Sequence, residues 1–504
     1  MPLKSRYFAI MNSWSQLILI LFSFLPALSP AQTITLSPAP FEDYSFDHLK
    51  IIGQDAQGFF MLQSNLPLEL DRDRVGFKNR KYKVAYYKNN LARAWSNLVE
   101  PSPSGASVEA VAFANGKVVV ASTLYNKGDD ALGLYARWIN NQGVEVRNQL
   151  VGTIKQTGQA DKPMLAISGN QLLLALFVLE NSGSESQTLH FLLTDSTLNV
   201  LKQKSLSIPY GEKSYSVEEL SVSNNGDLHV LGVRSRKNQG NGRKREEDFV
   251  LFSSPLEVDS LREFVVGSGN KDVTSASLAF DNLNNRLVCA GFYAEKNSTT
   301  GAGVMLAMLD MNNPQSLEIV SSPIDNQTQL KILGERNRSH DIGLINYPIR
   351  QIILRNDGGA VILAEAFFAN DYSYYDYFTQ SYTRSIEYHF NNIVTVSVNA
   401  NGSIHWLNVI RKNQVSTDDA GSFSSYCPVL TEKEFILLYN SDVSRSSDIK
   451  TARISASGKQ NESSNIRTSN NLLLYSRSGK QVSATEAIVP CISKKKLMLA
   501  RITF

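Results

Sequence analysis

The sequence predicts an all-β protein assembled from repeated antiparallel sheets, and three observations carry that prediction. A tight polar turn running into an apolar stretch recurs along the 504 residues. The stretches have strand length and strand alternation, and helical periodicity is nearly absent after the first 31 residues. The copies recur at roughly 55 to 75 residues, the length of one small antiparallel sheet.

Taken in order, the chain opens with Lys4 and Arg6 ahead of "LILILFSFLPAL", which ends at "SPAQ" with Ser29 and Ala31 in the small-residue positions of a signal-peptidase site. Residues 1–31 are therefore expected to be a cleaved secretory signal peptide, leaving Gln32 first. The run is shorter than the roughly 20 apolar residues that cross a bilayer, and Pro26 interrupts it. With no cysteine beside the cut, the lipoprotein route is not expected. Residues 32–504 are expected to form a single soluble domain, secreted or periplasmic, with no membrane insertion after signal cleavage.

The repeat begins with "QDAQGFFMLQS" at 54 and continues with "FANGKVVVAS" at 113, "ISGNQLLLALF" at 167 and "SNNGDLHVLGV" at 223. "DNLNNRLVCAGF" at 281, "RNDGGAVILAEAF" at 355 and "LTEKEFILLYN" at 430 follow, with a weaker eighth copy in "IVPCISKKKLMLARITF". Asparagine, aspartate and glycine fill the turns because they tolerate the positive φ angles of a tight hairpin. An alternating segment such as "VEAVAF" or "IRQIIL" precedes each turn and supplies the first strand of a hairpin. A third strand ending in another polar turn, as in "LGLYARWINNQGVEV", and a more variable fourth complete a meander. Such a sheet has two apolar faces and is not stable alone, and stacking it radially on its siblings buries both. The expected architecture is a β-propeller of four-stranded antiparallel blades, seven or eight in number, with the copies pointing to eight. The lone strand "TITLSP" at the mature N-terminus is expected to close the ring with the C-terminal strands.

Four segments, "LVCAGFYAEKN", "YPIRQIILRNDGGAVILAEAFF", "IVTVSVNANGSIHWLNVIRKNQ" and "GSFSSYCPVL", resemble segments of uncharacterised secreted, propeller-like proteins of Bacteroidota. The resemblance spans the second half of the mature chain; the first half shares only the repeat pattern. It implies a secreted or periplasmic β-propeller and brings no catalytic residues. Members of that phylum often end in a sorting domain, whereas this chain ends in a strand-like "KLMLARITF", which points to the periplasm or a different exit.

Lysine and arginine number 50 against 47 aspartates and glutamates, a balance that argues against a nucleic-acid surface. The basic run Arg243-Lys244-Arg245 is followed by Glu246, Glu247 and Asp248 and reads as a solvated loop. Three cysteines, Cys289, Cys427 and Cys491, exclude a disulfide framework, although one Cys427–Cys491 bridge is conceivable in an oxidising compartment. Cys289 reads as a small buried hydrophobe within a strand, His229 as a satisfied or edge-facing strand residue, and His340-Asp341 as part of a polar linker. No metal site is expected, because no two histidines have ligand spacing and the acidic turn residues Asp227, Asp281 and Asp357 lack the calcium ladder. No cofactor motif is present either.

Two features stand out. Glu365, inside the apolar run "VILAEAFF", must be paired structurally or line the central channel, since a buried carboxylate is costly without a partner. The segment "FFANDYSYYDYFTQSYTRSIEYHF" inserts aromatics between two strands of the sixth repeat. Tyr372, Tyr374, Tyr375, Tyr377, Phe378 and Tyr382 are the binding candidates, because tyrosine joins a flat apolar body to a hydrogen-bonding tip. The alternative is a hairpin whose aromatics pack on a neighbouring blade or fill its own tip. The expected function is a monomeric binding or scaffold protein that recognises a protein or glycan partner through a blade rim. The other class is a glycan hydrolase or lyase working in the central channel, which requires acids from several blades to converge.

Overall fold

A computed structural model describes residues 32–41, 45–68, 80–155, 159–181, 186–209, 213–236, 247–267, 269–296, 301–333, 344–376, 378, 380–443, 448–466 and 472–504. The expected signal peptide, the basic run at 243–245, His340-Asp341 and Tyr377 lie outside the described residues.

The recurring turns produce eight antiparallel sheets. Following the lone strand β1 (Thr33–Leu36), blade 1 holds β2 (His48–Gln54), β3 (Gly58–Ser64), β4 (Tyr82–Lys88) and β5 (Arg93–Leu98). Blade 2 holds β6 (Ser107–Ala114), β7 (Lys117–Asn126), β8 (Ala131–Ile139) and β9 (Glu145–Lys155). In blade 3 the first strand is broken into β10 (Gln159–Ala160) and β11 (Met164–Ile167), ahead of β12 (Leu173–Asn181), β13 (Ser186–Asp195) and β14 (Val200–Pro209). Blade 4 holds β15 (Lys213–Val222), β16 (Leu228–Arg236), β17 (Glu247–Ser254) and β18 (Arg262–Val266). Blade 5 holds β19 (Lys271–Asp281), β20 (Arg286–Glu295), β21 (Gly301–Asp310) and β22 (Glu318–Pro323), and is followed by a short helix, α1 (Asn326–Leu333). Blade 6 holds β23 (Ile349–Leu354), β24 (Ala360–Asp376), β25 (Ser381–Val398), β26 (Ile404–Ile410) and the added β27 (Gln414–Thr417). Blade 7 holds β28 (Cys427–Leu430), β29 (Glu434–Asn440), β30 (Ile449–Ser455) and β31 (Gln460–Ile466). Blade 8 holds β32 (Leu472–Leu474), β33 (Lys480–Gln481), β34 (Glu486–Ser493) and β35 (Lys496–Thr503).

Closure by the termini is as expected. β1 runs antiparallel to β35, with Thr33 opposite Thr503 and Leu36 opposite Ala500, so the N-terminal strand is the outermost strand of the last blade. First strands of successive blades touch around the ring: β2 meets β6, β6 meets β11, β11 meets β15, β15 meets β19, β19 meets β23, and β28 meets β33. Blades 6 and 7 join through Leu363, Ile393, Leu437, Tyr439 and Ala452, and β33 and β34 return to β2. The copy count of eight is therefore the blade count.

Second strands carry the core because neighbouring blades cover both of their faces. Residues 58–64 of β3 and 287–294 of β20 are buried throughout, and each large apolar side chain among them stabilises the fold by about 1.5–3 kcal/mol. The ring of Phe113 in blade 2 lies against Gly53 in blade 1 so closely that a β-carbon there would sit 1.9 Å from it. Turn chemistry matches its sequence cues: Asn115 and Gly116 both have positive φ, as a two-residue hairpin turn demands. In the eighth copy the same conformation falls to Lys494 and Lys495, which explains the weakness of that repeat in sequence.

Helix α1 departs from the strand pattern. Its first turn is held by Asp325, whose carboxylate accepts from the Thr328 amide (2.9 Å) and hydroxyl (2.6 Å), and Ile332 anchors it in the blade 5–6 core. Eight residues are too few for helical periodicity to register. Cys289, Cys427 and Cys491 are free and buried, so the conceivable Cys427–Cys491 bridge is not formed; burial pushes the Cys427 and Cys491 thiols up to about 12.

Candidate functional site

A first strand enters its blade at one end of the propeller, the first turn lies at the other end, and the second-to-third connection returns to the entry side. At that entry end blade 6 differs from its siblings. β24 and β25 are 17 and 18 residues long, and a register shift between Glu365 and Phe367 marks where they leave the body of the blade. Beyond it the two strands pair from Phe367 opposite Phe390 to Asp376 opposite Ser381, a ribbon of about 30 Å.

Directly paired residues share a face of such a ribbon, and successive residues alternate. Tyr372 and Tyr374 therefore stand on one face with Phe368, whose ring stacks on His389 at 4.3 Å. Tyr375 and Tyr382 stand on the opposite face, in edge contact at 5.2 Å, together with Tyr388. Both faces meet solvent: Tyr374 is 54% exposed, Tyr382 76% and Phe378, at the tip, 100%. Among the described residues these exposed aromatics make ring contacts within the ribbon, Tyr375 with Tyr382 near the tip and Phe368 with His389. Within the ribbon the Arg384 Nε donates to both Asp371 carboxylate oxygens at 2.9 and 2.8 Å.

The root of the ribbon is braced. β27 pairs with residues 387–390 as a third strand. The Asp418 carboxylate accepts from the Ile386 amide (2.7 Å) and the Ser385 hydroxyl (2.9 Å). The connection to blade 7 turns sharply here, with Asp418, Ala420, Gly421 and Ser425 all at positive φ. Gly421 is required by close approach as well, because a β-carbon would meet the Phe390 ring at 2.3 Å.

Beneath the brace lies Glu365, fully buried and paired, so it is not a channel-lining residue. Its carboxylate sits 2.8 Å from the Lys412 ammonium and 3.4 Å from the Arg350 Nε, and accepts from the Ser425 hydroxyl at 2.7 Å. Burial alone would raise this carboxyl, but Lys412 and Arg350 outweigh it and hold Glu365 below the usual carboxylate range. Lys412 also donates to the Phe390 carbonyl and the Gln414 side-chain oxygen, both at 2.8 Å, and that same oxygen accepts from the Ser425 amide. Arg350 is the extra residue of a bulge in β23, and its guanidinium lies over Phe367 and Phe390 at 5.3 and 5.7 Å. One polar network thus ties the ribbon root to blades 6 and 7. Arg350, Lys412, Gln414 and Ser425 were not singled out in the sequence, because they lie up to 60 residues from Glu365 and carry no spacing motif.

Along the inner wall, several acids are already engaged. Glu109 accepts from the Thr123 hydroxyl, and Glu219 accepts from the Ser277 hydroxyl and the Leu278 amide. Asp161, at the break in the first strand of blade 3, has its carboxyl raised by burial. The turn acids Asp281 and Asp357 accept backbone amides of their own turns, which accounts for them without calcium. His229 is buried and stacked on Phe280 at 5.2 Å, with Nδ1 3.1 Å from the Ser253 hydroxyl.

No family model matches the chain, and no curated relative matches it. Among solved structures it is similar to the β-propeller domain of the Trilobed protease from Pyrococcus furiosus, at 9% identity and TM-score 0.33, covering 84% of this chain and 96% of that one. Polysaccharide lyase Uly1 is similar at 8% identity and TM-score 0.33, over 80% of this chain and 91% of the lyase. The Pseudomonas brassicacearum lignostilbene dioxygenase is similar at 11% identity and TM-score 0.39, over 93% of each chain. Scores this low carry no conclusion about activity.

Proposed function

We propose that the chain is an extracytoplasmic β-propeller that binds a protein or glycan partner through the aromatic ribbon of blade 6, with the ring as its rigid mount. One observation carries this reading: a braced ribbon holds Tyr372, Tyr374, Tyr375, Phe378 and Tyr382 exposed on both faces and at the tip. Exposed aromatics in one patch are the usual mark of an interaction surface. A rigid root lowers the ordering cost of binding. The test compares the mature chain with a Tyr372→Ser, Tyr374→Ser, Tyr382→Ser variant on a glycan array and in pull-downs. The expected outcome is loss of the wild-type partner with unfolding unchanged, and retention of every partner removes the ribbon from consideration. Export is checked separately, by sequencing the N-terminus of the secreted or periplasmic protein for a start at Gln32.

A second reading, a glycan hydrolase or lyase in the central channel, has one foothold in the raised carboxyl of Asp161. Glycan turnover that disappears in Asp161→Asn would favour it over binding alone.

A further inference from the structure

A groove of about 320 Å³ opens between α1, the outermost strand of blade 6 and the outermost strand of blade 7. Leu407 and Val409 give it apolar backing, while Thr328, Lys331, Asn408, Arg411 and Gln460 present polar ends to it. Its volume falls at the lower limit of small-molecule sites, about 300–1,000 Å³, and suits a single ring better than an extended chain.

Among the described residues the charge of the lining is one-sided. Among the described residues Lys331 and Arg411 line the groove, no carboxylate does, and neither cation makes an ion pair. α1 contains no acidic residue, and the carboxylate at its start, Asp325, is occupied by Thr328. Lys412, the next residue after Arg411, points inward to Glu365, so that carboxylate is spent on the interior. Two cations on a concave wall with apolar backing and amide donors match an anionic group carried on a compact ring with hydroxyls. Arg411 offers a two-pronged donor to a carboxylate or sulfate, and Lys331 a point charge beside it.

We propose that this groove binds an anionic sugar unit, a ring bearing a carboxylate or a sulfate. The site is separate from the aromatic ribbon, and either can fail without the other.

Titration of the mature chain with glucuronate, glucose 6-sulfate, glucose and inorganic sulfate, followed by calorimetry and ligand-observed NMR, tests it. At least one anionic sugar is expected to bind, at least about tenfold more tightly than glucose and than inorganic sulfate; the tighter of the two identifies the anion. Arg411→Ala and Lys331→Ala are each expected to weaken that sugar about tenfold, as loss of a charge-assisted contact does. A variant with the ribbon tip removed should keep the affinity. Three results each overturn the proposal: no anionic sugar binding, glucose or inorganic sulfate binding as tightly as the anionic sugars, or unchanged affinity in the Lys331→Ala, Arg411→Ala double variant.

Discussion

Blades 5 and 6 differ at the sixth residue of their second strands. Gly291 is the sixth residue of β20, and Glu365 is the sixth of β24. In blade 5 a β-carbon at that place would lie 2.6 Å from the Ser275 carbonyl oxygen, so the strands close tightly and the hairpin returns at the rim. In blade 6 the same place holds a buried carboxylate satisfied by Lys412, Arg350 and Ser425, and the hairpin runs on as a ribbon. The contrast shows how one repeat is adapted. At this position the compact blade holds a glycine, while the blade that carries a projecting element anchors its root with a polar network.

Removing the carboxylate is the hardest test of that contrast. Glu365→Ala leaves the Lys412 ammonium buried without its counter-charge, and the expected loss is about 3–5 kcal/mol in denaturant unfolding. A loss under about 1 kcal/mol would show that the network does not anchor the blade. Closing the gap from the other side, Gly291→Ala forces a methyl group onto the Ser275 carbonyl and should cost about 1–3 kcal/mol.

A pH-dependent effect belongs to His229, whose pKa burial lowers from 6.5 to about 3. The unfolded chain binds this proton below pH 6.5 and the folded chain does not. Stability is therefore fully present above about pH 6.5 and declines as pH falls towards 3. His229→Gln should flatten that part of the stability profile, and an unchanged slope would assign it to other groups. The least effect on stability is expected from replacing residues 374–383 with a two-residue Asn-Gly turn, which keeps Ser385, Ile386 and the Arg384–Asp371 pair. Because the aromatics stand in solvent, unfolding should shift by no more than about 0.5 kcal/mol.

Most of the architecture was legible from the turns. Asn115-Gly116, Asn401-Gly402 and their counterparts announce hairpins because left-handed backbone is cheap only for such residues. Lys494 and Lys495 adopt the same backbone without that signature, so the eighth blade was the faintest. The ribbon was visible as an aromatic run, but the exposure of its aromatics is a tertiary fact that alternation alone does not contain. Glu365 was recognisable as an anomaly, since a carboxylate in an apolar run demands a partner. The identity of that partner was not, because Lys412 and Ser425 come from a connection whose path is set by three-dimensional closure. Helix α1 and the groove it helps form were missed for a related reason: eight polar-rich residues give no periodic signal, and the groove's walls come from three separate places in the chain.

The central claim, that blade 6 separates a structural root from a binding tip, is tested most directly by measuring stability and partner retention on the same 374–383 replacement. The account predicts an unfolding midpoint within error of wild type together with loss of the partner found on the array or in the pull-down. A midpoint lowered by several degrees with the partner still bound would contradict it.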